Sequence, residues 1–324
     1  MTAGLDVSHV LAAQQTIAGH VSRTPLLASE PLSAAAGTPV HLKHEQLQIT
    51  GAFKLRGATN ALLNLSEAER ERGVIAVSTG NHGRGLAHAA RQLGLRAVIC
   101  MSTLVPDNKI AAIRALGAEI HIAGASQDEA EQEATRLIEA EGLTYIPPFD
   151  HRDVIAGQGT IGLELVEDLP ELATVIVPLS GGGLLGGIAL AVRAARPDAQ
   201  IIGVTMKRGA AMHASLQAGK PVPVTEMRTL ADSLGGGIGL DNRHTFALIR
   251  DLVDQVVLLE EDEIAEGIRH AYRKEGVVLE GAAAVTIAAV LSNAIRPAGP
   301  TALVLSGRNI PVSTHHEIVG NSSP

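Results

Sequence analysis

Lys54, which follows a glycine turn, is the residue of this sequence best suited to covalent chemistry. The apolar residues after it recur at three- and four-residue steps, which predicts a helix that begins near Lys54. The positive end of a helix, together with partial burial, favours a neutral lysine, and a neutral amine attacks an aldehyde whereas an ammonium does not. Any single lysine is more often a solvated surface residue, by roughly ten to one. Only the residues around Lys54 can therefore favour a reactive lysine over a surface one. The helix signals are Thr50 as cap, Gly51 as turn, and the apolar positions Leu55, Ala58, Leu62 and Leu65.

Three loops follow predicted strands, and ligands of parallel α/β sheets bind at such strand ends. The first, residues 78–85, could hold a carboxylate on backbone N–H groups at a helix start, although simple helix capping is the commoner explanation. His82 in this loop has no partner at metal-ligand spacing, so it is predicted to be a loop histidine. The second, residues 180–187 (SGGGLLGG), offers consecutive amides to a phosphate. The third begins with the neutral hydroxyl of Ser306.

The second loop also contains the G-x-G-x-x-G pattern of dinucleotide sites. Such a site requires an acidic residue after the next strand to bind the ribose. Here that strand, 200–204, is followed by Thr205, Met206 and Lys207, none of them acidic. A monophosphate therefore fits the loop better than NAD does.

Strands alternate with helices along the chain, which predicts parallel α/β sheets. The segments Pro147-Pro148 and Gly157-Gln158-Gly159 indicate a loop-rich stretch, suited to a crossing between domains. Strands are predicted at 40–43, 74–77, 97–101, 119–123, 174–179, 200–204, 255–259 and 302–305, and helices at 7–18, 31–36, 83–93, 107–116, 127–141, 184–195 and 264–275.

Composition argues against several classes of function. The 324 residues are 46% hydrophobic, enough for one large domain or two. A net charge of -8, with two Tyr, three Phe and no Trp, argues against nucleic-acid binding. No apolar run approaches the roughly 20 residues of a membrane span, and residues 1–6 are unlike a secretory signal. Cys100, at the end of an apolar run, is expected to be a core residue. As it is the single cysteine, no intrachain disulfide can form, so a cytoplasmic location is expected.

Four features follow one another along the chain: a lysine at a helix start (Lys54), a loop that could bind a carboxylate (the carboxylate seat, 78–85), a glycine loop that could bind a phosphate (180–187) and a serine at a strand end (Ser306). They fall within the stretch from Arg23-Thr24-Pro25-Leu26 to Ser306-Gly307-Arg308-Asn309. In this the chain resembles the fold-type II serine/threonine dehydratases and serine racemases, which depend on pyridoxal 5'-phosphate (PLP). The segments VPLSGGGL, GVTMKRGAAMHASL, ADSLGGGIGLDN and LSGRN are most similar to hydroxyectoine-utilisation dehydratases.

The resemblance implies a tryptophan-synthase-β-like α/β fold of two domains, each with a mainly parallel sheet flanked by helices. The large cofactor-binding domain would comprise residues 1–51 and 149–324, and a small mobile substrate domain residues 52–148. A homodimer is the family expectation.

The same resemblance implies roles for individual residues. Lys54 would hold the cofactor covalently and then take the substrate α-proton. Ser306 would face the pyridine nitrogen, and a hydroxyl there favours β-elimination over transamination. Glu280 aligns with an active-site glutamate at the cofactor, although a surface helix charge explains it equally well. The cofactor would also contact Phe53, Asn81 (at its 3'-oxygen) and, through its phosphate, Ser180, Gly181, Gly182, Gly183 and Leu184, and the substrate carboxylate would lie on Ser78, Thr79, Gly80 and His82, beside Asn81.

Several positions depart from the family pattern. Thr79 stands where racemases have a serine that acts as the second acid/base, so it is a second catalytic candidate whose hydroxyl could do the same proton chemistry. Its extra methyl group argues against efficient racemisation. Arg84 replaces a glutamine; a solvated position is favoured, but an Arg84 that points into the site would bind a second carboxylate. The positions of the family's divalent-cation site carry no carboxylate, so no metal is expected there. They are Thr205, Gly209 and Ala211.

The expected activity is PLP-dependent β-elimination from a β-hydroxy amino acid, which yields a keto acid and ammonia, in hydroxyectoine or ectoine catabolism. Dehydration of 3-hydroxyaspartate, with Arg84 as the second carboxylate clamp, is an alternative on the same fold, and so is amino-acid racemisation. A non-catalytic nucleotide-binding module is the alternative from a different class.

Overall fold

The computed structural model describes residues 4–78, 80–103, 105, 107–124 and 127–320. It confirms the predicted α/β class, with two mainly parallel sheets flanked by helices. The strands are β1 (Leu26–Ala28), β2 (Val40–Lys43), β3 (Val74–Val77), β4 (Ala97–Met101), β5 (Glu119–Ile122), β6 (Thr144–Tyr145), β7 (Thr174–Pro178), β8 (Gln200–Met206), β9 (Gln255–Leu259) and β10 (Thr301–Val304).

Helices cover both sheets. They are α1 (Val7–Thr16), α2 (Glu30–Ala36), α3 (Lys54–Leu63), α4 (Glu67–Arg72), α5 (Asn81–Leu93), α6 (Asp107–Arg114), α7 (Gln127–Glu141), α8 (Arg152–Asp168), α9 (Gly183–Ala195), α10 (Ala211–Ala218), α11 (Thr245–Leu252), α12 (Glu261–Arg273), α13 (Gly281–Leu291) and α14 (Val312–Gly320), with short 3-10 turns at Glu45–Leu47 and Asp232–Leu234. Among the described residues, no helix combines the length and the apolar character that a membrane crossing requires.

Within the described residues, the larger sheet has six strands in the order β1-β2-β10-β7-β8-β9, and only the β1–β2 pair is antiparallel. It is therefore built from both ends of the chain. The smaller sheet is parallel throughout, in the order β5-β4-β3-β6. The domain limits at 51/52 and 148/149 stay a prediction.

The central strands of both sheets are buried on both faces. In β7, Val175 and Val177 join one apolar core while Ile176 joins the core on the opposite face. In β3, Val74 and Ile75 divide in the same way between two cores of the smaller sheet. Continuous Val/Ile runs are typical of parallel strands covered by helices on both sides.

The prediction of a loop-rich stretch at Gly157-Gln158-Gly159 is wrong, because these residues lie inside α8. The glycines allow close packing between helices. A Cβ atom at Gly157 would lie 2.7 Å from the Gly57 Cα in α3, and one at Gly159 would lie 2.7 Å from the Gly187 carbonyl oxygen in α9. The two glycines, which predicted a loop, are instead the points where α8 packs closely against α3 and α9.

The predicted helix at Lys54 is present, but Thr50 is not its cap. The N-cap residue is Phe53, which makes no side-chain capping bond, and the buried Thr50 hydroxyl has no hydrogen-bond partner among the described residues. Gly51 does form the turn, with φ +79°. In place of a Thr50 cap, a contact between residues 51–53 and residues 306–308 positions the start of α3.

Candidate active site

A cavity of about 270 Å³ lies between the two sheets. The loops after β3, β7 and β10 all reach it, with Ser78, Ser180 and Ser306 among the lining residues. The cavity therefore brings together the predicted lysine, carboxylate seat, glycine loop and strand-end serine. Of the predicted site residues, those that line it are Phe53, Lys54, Ser78, Gly80, Asn81, His82, Ser180, Gly181, Gly182, Gly183, Leu184, Glu280 and Ser306.

Lys54 is positioned by contacts between residues 51–53 and residues 306–308. The Phe53 N–H donates to the Ser306 carbonyl over 3.0 Å, and the Arg308 N–H donates to the Gly51 carbonyl over 2.9 Å. An isolated antiparallel bridge joins Ala52 to Gly307 between them. The lysine therefore starts its helix directly beside the strand-end serine.

The Lys54 amine is enclosed by protein, although part of its side chain faces the cavity. It donates to the Pro148 carbonyl over 2.6 Å and lies 5.2 Å from the centre of the Phe53 ring. Burial lowers the pKa of Lys54 to about 8, and the charge of Glu280 opposes that shift. A substantial fraction of the amine is therefore neutral near physiological pH, as attack on an aldehyde requires.

The glycine loop forms the left-handed turn that a phosphate site needs. Gly182 has φ +91° and immediately precedes α9. A Cβ there would also be crowded, 2.9 Å from the Met212 Cε and 3.0 Å from the Thr245 Cβ. Successive N–H groups at a helix N-terminus bind anions, so this turn fits a phosphate.

The seat at residues 78–82 uses one of its hydroxyl groups for helix capping. The Ser78 Oγ accepts the Gly83 N–H over 3.1 Å, as the capping interpretation predicts. Helix α5 begins at Asn81, directly at the cavity, so its positive end is available to a substrate carboxylate. Thr79, predicted to be catalytic and to bind substrate, lies outside the described residues.

His82 is the second residue of α5 and is buried, so its prediction as a loop histidine is wrong. Its Nε2 lies 2.8 Å from the Ile146 carbonyl oxygen, a contact that requires a proton on Nε2. Burial, and then the charge of Lys54, lower the pKa of His82 to about 3. The ring is therefore neutral, and His82 can offer a carboxylate its backbone N–H but no positive side chain.

Glu280 is buried at the start of α13, which contradicts its interpretation as a surface charge. Its carboxylate accepts the Asn81 side-chain amide over 2.7 Å and the Asn309 N–H over 3.0 Å. The Asn309 amide in turn donates to the Asn81 Oδ1 over 2.6 Å. These three residues connect α5, beside the smaller sheet, to the loops of the larger sheet, and Asn81 and Glu280 also line the cavity.

Arg84 does not line this cavity. It is half-buried on α5, and its Nη1 donates to the Asn309 Oδ1 over 3.1 Å. It borders a separate cavity, together with His88 and Arg308. The structure thus matches neither a fully solvated Arg84 nor an Arg84 that points into the site.

Several lining residues were missed by the sequence analysis. Pro148 and Phe149 follow the smaller sheet, and the Phe149 ring lies against Gly181. Asp232 and Ser233 belong to the 3-10 turn on the other side. The proline pair and the ADSLGGG segment were visible in the sequence, but no local pattern assigns either of them to a cavity.

An amine with a lowered pKa, a phosphate-type glycine turn and a neutral strand-end hydroxyl fit PLP, which carries an aldehyde, a phosphate and a pyridine nitrogen. A family model described as "Pyridoxal-phosphate dependent enzyme" matches residues 17–307. The chain belongs to this family.

Known relatives of this PLP enzyme include proteins named for threonine dehydration and a racemase of the same fold. The chain is 57% identical over 97% of its length, and 95% of the relative's, to a Sinorhizobium fredii protein named "Putative threonine dehydratase". It is 41% identical to the L-threonine ammonia-lyase of Thermotoga maritima, over 97% of this chain and 78% of that one. The structure of maize serine racemase matches with a TM-score of 0.92 and 33% identity, over 96% of each chain.

The expected family is thereby confirmed: the chain is a fold-type II, PLP-dependent lyase of the serine/threonine dehydratase type. When bound, PLP supplies an aldehyde that bonds to an amine and a ring that withdraws electrons from the adjacent carbon. Lys54 would bond to it, the Gly181–Gly183 turn would hold its phosphate, and Ser306 would lie at its ring.

Proposed function

We propose that this PLP enzyme removes water from a small β-hydroxy amino acid of the threonine and serine class and releases a keto acid and ammonia. The observation that carries the proposal is the Lys54 amine, with a pKa of about 8, in one cavity with the glycine turn. The named activities of the threonine dehydratase and ammonia-lyase relatives support the same reaction.

Each residue has a part in that reaction. The α5 N-terminus orients the substrate carboxylate, so that the α-hydrogen faces Lys54. The neutral Lys54 amine takes the proton from Cα, the C–O bond at Cβ breaks, and the departing hydroxide takes up that proton and leaves as water. The enamine that leaves the site adds water to give the keto acid and ammonia, which balances the reaction.

The position of Arg84 disfavours 3-hydroxyaspartate as the substrate. Among the described residues that line the cavity, Lys54 carries the positive charge, while Asp232 and Glu280 are acidic. A second carboxylate would therefore lie near negative groups, with Arg84 outside the cavity. A substrate with one carboxylate fits this distribution of charge better.

The test is ammonia and keto-acid release from a panel of L-threonine, L-serine, 3-hydroxyaspartate and an ectoine-derived β-hydroxy amino acid. Turnover of threonine or serine that exceeds turnover of 3-hydroxyaspartate is expected. Efficient use of 3-hydroxyaspartate alone, lost in Arg84→Ala, would overturn the choice of substrate. Chiral analysis of residual substrate measures racemisation, which Thr79→Ala should abolish while elimination continues.

The finer predictions remain part of this proposal. The four segments similar to hydroxyectoine-utilisation dehydratases support a role in hydroxyectoine catabolism, which the ectoine-derived substrate in the panel tests. The two domains limited at 51/52 and 148/149 and the homodimer are proposed on the family resemblance, and the cytoplasmic location on the single cysteine. Light scattering of the purified protein tests the dimer.

A further inference from the structure

Four charged side chains are buried together, one of them on the helix that carries Lys54. Arg56 and Lys43 are 1% and 0% exposed, and Glu45 and Glu164 are 0% and 6% exposed. We refer to these four residues as the buried charge cluster. Two positive and two negative groups balance, but the transfer of four charges from water into the interior still costs free energy. A contribution to stability therefore does not by itself explain why these four charges are buried.

Arg56 is the centre of the cluster. Its Nε and Nη2 donate to the two carboxylate oxygens of Glu45 over 2.9 and 2.8 Å. Its Nη1 and Nη2 donate to the two oxygens of Glu164 over 2.6 and 3.0 Å. Lys43 binds Glu164 over 2.5 Å from the other side. Such paired contacts fix the plane and the position of a guanidinium, which a lysine amine does not reproduce.

The partners of Arg56 all lie outside α3. Glu45 belongs to the turn that follows β2, and Glu164 lies on α8, next to the larger sheet. Burial alone would lower the pKa of Arg56, but Glu45 and Glu164 raise it above its usual value. Arg56 therefore stays charged and holds α3 to α8 and to the end of β2.

The backbones of α3 and α8 also touch one residue further along. The Gly57 N–H donates to the Gln158 side chain over 3.3 Å, and Gly57 and Gly157 pack without intervening side chains. Two residues later in α8, Gly159 packs in the same way on Gly187 of α9, the helix that begins at the phosphate turn. Helix α8 thus touches both the lysine helix and the phosphate helix.

We propose that Arg56 is a positioning residue, whose contacts with Glu45 and Glu164 fix α3 against α8 and so set the place of Lys54 relative to the Gly181–Gly183 turn. This rests on the proposed function only in that Lys54 takes the α-proton. A displacement of about 1 Å in such a group can reduce turnover about 100-fold.

The test compares Arg56→Lys with Arg193→Lys in the holoenzyme. Arg193 lies at the far end of α9 and makes hydrogen bonds to Pro197, Ala199, Leu252 and Asp254. Both variants should lower the thermal midpoint. Only Arg56→Lys should lower kcat, by at least about tenfold, with little change in KM, because the amine is displaced while substrate contacts stay. An unchanged kcat in Arg56→Lys would overturn the proposal.

Glu45→Gln provides a second test if Arg56→Lys does not fold. It keeps the shape of the partner and removes its charge, so kcat should fall as in Arg56→Lys. When Arg56→Lys does fold, the two losses should not add in the double variant, because both remove the same contact. Full additivity, or a normal kcat in Glu45→Gln, would show that Arg56 does not act through this contact.

A substrate-independent measurement separates this proposal from the proposed function. PLP is removed, then added back, and the rate at which Lys54 binds it is followed by borohydride reduction and peptide mapping. Arg56→Lys should bind PLP at least about tenfold more slowly than Arg193→Lys. Equal rates would overturn the positioning role, even if wild-type enzyme turned over neither threonine nor serine.

Discussion

Lys54 experiences two opposite influences on its charge. Burial favours the neutral amine, while Glu280 favours the ammonium, and the result is a pKa of about 8. The amine has to be neutral to bond to an aldehyde or to accept a proton. The two influences together place the titration close to working pH, where both protonation states are accessible.

Glu280→Gln should lower the pKa of Lys54, because it removes the charge that stabilises the ammonium. The pH dependence of Lys54 labelling by an amine reagent, followed by mass spectrometry in PLP-free protein, measures this pKa. The midpoint is expected near pH 8 in the wild type and lower in Glu280→Gln. The exposed Glu260→Gln is the control and should match the wild type. A wild-type midpoint near 10.5 would contradict the burial of the amine.

Lys54→Ala should bind PLP only weakly and should lose turnover, because both the covalent bond and the proton acceptor are removed. Absorbance of the lysine-bound cofactor and ammonia release measure the two effects. Lys54→Arg serves as a control that keeps a positive charge at this position but has no neutral amine, and it should be equally inactive. Dehydratase activity in Lys54→Ala would refute the assignment.

At the scale of the elements, α8 connects the two halves of the site. It touches α3 through Gly157 and α9 through Gly159, and Glu164 on the same helix binds Arg56. The distance between the lysine and the phosphate turn therefore depends on how closely three helices pack.

Gly157→Ala should destabilise the protein and lower kcat. The added Cβ would lie 2.7 Å from the Arg56 carbonyl oxygen and from the Gly57 Cα, and backbone atoms cannot rotate away as a side chain can. Overpacking of this kind costs about 1–3 kcal/mol, measurable by urea denaturation. Gly320→Ala in α14, where no other described residue comes within 4 Å of the added Cβ, is the control. Equal stabilities of the two variants would show that α3 and α8 do not need this close contact.

At the scale of the whole molecule, two sheets present the carboxyl ends of β3, β7 and β10 to one cavity. The N-terminus of α5 follows β3 of the smaller sheet, while the glycine turn and Ser306 follow β7 and β10 of the larger sheet. The Asn81, Glu280 and Asn309 contacts join the two sides. The site therefore depends on the relative placement of both sheets.

Divalent cations should not activate the enzyme through the family's cation site, since Thr205, Gly209 and Ala211 provide no carboxylate there. Ammonia release measured after EDTA treatment, and again with added Mg²⁺ or Ca²⁺, should be unchanged. Added Na⁺ at equal ionic strength is the control. Activation by either divalent ion, absent with Na⁺, would contradict this prediction.

The sequence by itself determined the elements whose signals are local. The strands at 74–77 and 97–101 have the bounds predicted from their apolar runs, and the Lys54 helix and the glycine turn before α9 were also predictable. Hydrophobic periodicity and glycine turns are properties of neighbouring residues, so they are visible without a fold.

Tertiary structure alone decided the features whose cause is distant in the chain. Residues 157–159 form a helix because their glycines meet Gly57 and Gly187, and Arg56 is buried because Glu45 and Glu164 lie opposite it. Arg84 bonds to Asn309, 225 residues away, and so stays out of the cavity. Packing and charge pairing are interactions between surfaces, and only the folded chain shows which surfaces meet.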